Sequence, residues 1–70
     1  MATMFEDQCD TLISMWIDGE REQLMETLRS MFQDERSRHI NILRAQMREF
    51  DKMNDAQDEQ AFVDLCLARL

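Results

Sequence analysis

Phe5, Cys9, Leu12 and Trp16 recur at steps of four, three and four, which sets them on one stripe of an α-helix. Ile13 and Ile17 widen the stripe on one side and Met15 on the other, while Glu6, Asp7, Asp10, Ser14 and Asp18 fall away from it. The pattern predicts a first helix over 5–17. Asp18-Gly19 ends it: glycine tolerates the left-handed conformation that closes a helix, and Asp18 can cap the next one. Apolar periodicity restarts with Leu24, Leu28 and Met31, edged by Met25 and Phe32. A polar stretch, Gln33 to His39, contains no breaker, and Ile40, Leu43, Met47 and Phe50 follow. At about 100° per residue, Ile42, Leu43, Phe50 and Met53 return to the sector of Leu24, Leu28 and Phe32. The phase therefore predicts one helix over 20–53, roughly 50 Å long. A break near Gln33-Asp34, with Asp34 as a cap, is the alternative. Asn54-Asp55-Ala56-Gln57 reads as a capping box and predicts a last helix over 55–69.

That last helix changes the picture. Eight of the final ten residues are apolar, and they point in nearly every direction. A helix apolar all round is buried all round. A chain of 70 residues cannot easily do this for its terminal helix. The expected solution is a two-fold homodimer. The fold class is therefore all-α, a helical hairpin or three-helix arrangement with a long central helix, forming one domain over 1–70. Its dimer core is expected to include Leu24, Leu28, Leu43, Phe50, Phe62 and Leu65.

Composition agrees with helices. The chain has no proline, one glycine and no tyrosine, so the turns of a β-protein are missing. At 44% hydrophobic it has enough apolar material to fold. No apolar run approaches the roughly 18–20 residues that span a bilayer. The N-terminal Met1–Asp7 stretch lacks the basic-then-apolar order of a signal peptide, so a cytoplasmic protein away from membranes is expected.

Fifteen acids against eight bases give a formal net charge of −7, unevenly spread. Residues 1–28 hold seven acids and one base, residues 29–52 six bases and four acids, and residues 53–70 four acids and one base. This order places the acidic end helices beside the basic middle, or the basic middle of one protomer against the acidic ends of another. Solvated faces with weak exposed pairs are the plainer account.

Chemistry-bearing groups are few. Arg36, Arg38, Arg44 and Arg48, with His39 and Asn41, could form a nucleic-acid stripe, but the net charge opposes it and no aromatic residue interleaves to stack bases. Glu35 and His39 lie four apart, whereas di-iron bundles need Glu and His three apart and repeated. An ion pair is the better account of them. Cys9 and Cys66 sit on apolar stripes as small hydrophobes, His39 is the single histidine, and nothing marks either thiol as activated. No catalytic residue, metal or cofactor is expected. Arg36 and His39 fall near the apolar sector of the long helix. There they are locally exposed, form a polar layer at a dimer crossing, or face a partner. Seven methionines suit an adaptable surface as well as a core. Met15, Ile17, Met25 and Phe32, on stripe edges, are the candidate grip on another protein.

Helix one closes with Leu12-Ile13-Ser14-Met15-Trp16-Ile17-Asp18-Gly19, and the chain ends in Phe62-Val63-Asp64-Leu65-Cys66-Leu67. In size, helical layout and acidic balance this resembles the very small helical early proteins of bacteriophages that bind and inactivate host regulators. One of them is an anti-activator of a LuxR-type quorum-sensing transcription factor and of a pilus-assembly ATPase. The resemblance implies an all-helical dimer acting by protein–protein contact, in competition with DNA where the target is a transcription factor. It carries no residue-by-residue match. The expected function is a non-enzymatic inhibitor or modulator of a host protein. The alternatives are a structural or adaptor subunit of a larger assembly and a small nucleic-acid-binding regulator.

Overall fold

A computed structural model describes residues 4–70; Met1, Ala2 and Thr3 lie outside the described residues. The described residues form four helices, α1 (Met4–Ile17), α2 (Arg21–Arg29), α3 (Gln33–Asn54) and α4 (Asp58–Arg69). The first element matches the expected 5–17 to one residue. Its end is the glycine stop anticipated from sequence: Gly19 has φ +81°, its N–H bonds the Trp16 carbonyl at 3.1 Å, and the Glu20 N–H bonds Met15 at 2.9 Å. These paired bonds close α1 with a left-handed residue that only glycine adopts without strain. Asp18 is not the next cap; Glu20 holds that position and makes no side-chain capping hydrogen bond.

The single helix expected over 20–53 is two. The chain leaves helical geometry at Ser30–Phe32, slightly before the alternative break at Gln33-Asp34. The Ser30 hydroxyl donates to the Thr27 carbonyl at 2.8 Å, and the Met31 N–H tightens onto Leu28 at 3.2 Å. A side chain that bonds nearby backbone competes with the helix ladder. Phe32 is then extended, with ψ 154°, and its carbonyl receives the Arg36 N–H that starts α3. Packing favours this break. A rod of roughly 50 Å would strand its apolar stripe, whereas the folded-back chain measures only 33 × 32 × 20 Å and collects both halves of the stripe in one core.

That core contains Leu12, Ile13 and Trp16 from α1, Leu24, Met25 and Leu28 from α2, Leu43 and Met47 from α3, and Phe62 from α4. Leu24, Leu28, Leu43 and Phe62, expected in a dimer core, are each fully buried within one chain. Phe50 and Leu65 are half-buried against the same cluster. Phe62 meets Trp16 edge-on at 5.6 Å between ring centroids, and the Arg21 guanidinium lies 3.8 Å from the centre of the Trp16 ring. Such contacts join α1, α2 and α4 around one indole.

The α3–α4 corner departs from the expected capping box. Asp55 takes the left-handed conformation (φ 53°), α4 starts at Asp58, and Asn54 donates back to the Phe50 carbonyl at 3.1 Å. The cap comes from across the turn: the two carboxylate oxygens of Asp51 accept the N–H groups of Asp58 and Glu59 at 2.7 and 3.1 Å. A carboxylate at a helix N-terminus satisfies two otherwise orphaned donors and meets the positive end of the dipole. Asp51→Ala is expected to cost about 1–2 kcal/mol of unfolding free energy, read by urea denaturation; an unchanged midpoint would show that the cap contributes nothing.

Candidate interaction surface

The α3–α4 turn sends α4 back along α3. Glu59 becomes the anchor of the pair: Arg48 donates to it through Nε at 3.2 Å and Nη2 at 2.7 Å, and Arg44 Nε lies 3.4 Å away. The Arg48 hydrogen bonds hold the Glu59 carboxyl below its usual range, and Glu59 in turn holds Arg48 above its own. The basic midsection thus meets an acidic end helix within one chain. A carboxyl lowered in the folded state stabilises above its unfolded value, and that contribution vanishes as pH falls through the folded value. Thermal melts at successively lower pH should therefore show Glu59→Gln losing less stability in acid than the parent chain; parallel losses would contradict the pairing.

Farther along, α3 and α4 together line a groove of about 410 Å³. Gln33, Arg36, Ser37, Ile40 and Arg44 form its α3 wall, and Val63, Cys66, Leu67 and Leu70 its α4 wall. The α4 residues follow i, i+3, i+4, i+7 spacing, a second apolar stripe beside the one that buries Phe62. Leu67 is 81% exposed and Leu70 40%. The all-round burial expected for the last helix is therefore not achieved inside one chain: Phe62 is covered and this second face is open. Arg36, half-buried at the groove, enters no ion pair among the described residues.

A second surface lies on α1 and α2. Ile17 is 65% exposed and, with Trp16, Arg21, Phe50, Asn54 and Asp58, lines another shallow concavity. Asp7, Asp10, Asp18, Glu20 and Glu26 are exposed on these two helices and their joining turn, and none takes part in the ion pairs among the described residues. Glu22 is engaged by Arg69, whose carbonyl also accepts Arg29 Nη2 at 3.0 Å.

The expected grip residues separate. Ile17 and Phe32 (85% exposed) are surface residues at different places, and Met15 is half-buried against the core. Met25 is 1% exposed and belongs to the core, because α2 turns its edge toward α1 once the long helix is broken. His39 is also not presented to a partner: it is 1% exposed beneath Phe5, with ring centroids 4.5 Å apart. Its Nδ1 donates to the Glu35 carbonyl at 2.7 Å, since a carbonyl can only accept, and Nε2 is buried without a partner among the described residues. The expected Glu35–His39 ion pair is thus replaced by a bond to the main chain.

The cysteines are free. Burial pushes the Cys9 thiol up, helped by Asp10 and Glu6; burial pushes Cys66 up while Arg44 opposes it. A raised thiol is a poor nucleophile. Among the described residues no group of three or more His, Cys, Asp or Glu is placed to hold a metal ion. Among them no helix is long and apolar enough to cross a membrane. Arg44 and Arg48 converge on Glu59 instead of projecting together with Arg36 and Arg38 as one stripe. Sequence reasoning missed Val63, Leu67 and Leu70 as groove-lining residues, although their spacing was visible; the total apolarity of the helix masked its second stripe. Compared with protein families, curated proteins and solved structures, the chain shows no match.

Proposed function

We propose that the protein is a non-catalytic protein–protein interaction module, a small homodimeric inhibitor or modulator of a host regulatory protein such as a LuxR-type quorum-sensing transcription factor or a pilus-assembly ATPase. The observation that supports this most directly is the surplus of exposed acid on α1, α2 and their joining turn, where five carboxylates have no ion-pair partner among the described residues and Ile17 is exposed. Helices with a surplus of carboxylates and an exposed apolar side chain suit a basic protein face, because complementary potentials steer encounter and reject wrong partners. The DNA-contacting face of a transcription factor has that character, and covering it would displace DNA.

Capture from host lysate with the intact chain, repeated with Ile17→Lys and Asp10→Lys, tests the reading. A regulator retained by the parent and lost with both variants supports it. Equal retention by all three, or capture of no regulator, contradicts it.

A further inference from the structure

We propose that the α3/α4 groove is the docking face for a second copy of this chain, with the two α4 helices antiparallel and Leu67 of each protomer seated in the groove of the other. The inference rests on the homodimer reading above and names the face that would form it.

A two-fold interface needs one patch that fits itself. This patch carries both halves of such a fit. Leu67, 81% exposed, stands at the edge of an apolar concavity floored by Ile40, Val63 and Cys66. Charge favours the same pairing. When two α4 helices run antiparallel about an axis at Leu67, Asp64 of one copy comes opposite Leu70 of the other. That end of α4 lies beside Gln33 and Arg36 in the groove. Asp64 is exposed one turn before Leu67, held by Gln60 Nε2 at 2.9 Å. Arg36, without an ion pair among the described residues, then faces Asp64 of the other copy on each side of the axis.

The concavity around Ile17 fits a second copy less well. Its one cation, Arg21, is already stacked on Trp16, while Asp58 lines it and Asp18 and Glu20 adjoin Ile17, so a two-fold contact there brings together more acid than base. The groove also explains the surplus apolar face of α4, which the chain's own core leaves open.

Sedimentation equilibrium of the full chain tests the proposal, with far-UV circular dichroism as the check on folding. The parent should be a dimer. Leu67→Asp, at a position exposed in the single chain, should stay helical and weaken the dimer by roughly a hundredfold or more, because it forces a charge into an apolar contact. Arg36→Asp and Asp64→Arg should each weaken it by about tenfold, and the double variant Arg36→Asp/Asp64→Arg should recover most of that loss. A dimer indifferent to Leu67→Asp and to the charge changes overturns the groove as the docking face while leaving self-pairing intact. A parent chain that stays monomeric overturns both.

Discussion

Phe62→Ala is expected to leave the chain only marginally folded. Phe62 is fully buried, and it is the one residue of α4 inside the core. Removing the ring deletes its packing on α1, including the edge-on contact with Trp16, and leaves a cavity. Phe-to-Ala changes at such sites cost about 3–5 kcal/mol. A domain of this length has only about 4–10 kcal/mol in total. Urea denaturation followed by circular dichroism should show most of the unfolding free energy gone. A loss below about 1 kcal/mol would mean that α4 does not depend on this anchor.

Trp16→Ala should be nearly as damaging, and for a different reason. The indole is 4% exposed and is touched from two sides, by the Phe62 ring and by the Arg21 guanidinium. Its loss removes the body that joins α1, α2 and α4, at about 3–5 kcal/mol. The two changes are not independent. The double variant should lose less than the sum of the single variants by about 0.5–1.5 kcal/mol, the aromatic pair's own contribution. Additive losses would show that the rings are neighbours without coupling.

Helical class, the first helix and the Gly19 stop were legible because each is local. A four-three-four stripe and a lone glycine act through nearest turns. The break at Ser30–Phe32 was not legible in the same way. The apolar phase does continue from Leu24 to Met53, and neither proline nor glycine interrupts it. What breaks the helix is tertiary: two short stripes share one core when the chain folds back, and a serine hydroxyl eases the turn. The same fold-back explains Met25 and His39. Both sit on stripe edges of a continuous helix, and both become interior when α1 crosses the gap. The α4 cap was misplaced because its acceptor, Asp51, belongs to the preceding helix, where a local capping rule does not look.

For the candidate surfaces the balance was similar. Excess apolarity in the last ten residues announced that a single chain would leave something uncovered. It did not say which residues, because Phe62 and Leu67 look alike in sequence and differ only in the side of α4 they occupy. The separation of one face into the core and the other toward solvent is set by where α3 lies.

Light scattering on the unmodified chain, eluted over a wide dilution series, tests self-pairing most directly. Twice the chain mass at high concentration, declining toward the chain mass on dilution as mass action requires, is the predicted result. The mass of one chain throughout the series, even at the highest concentration, would contradict it.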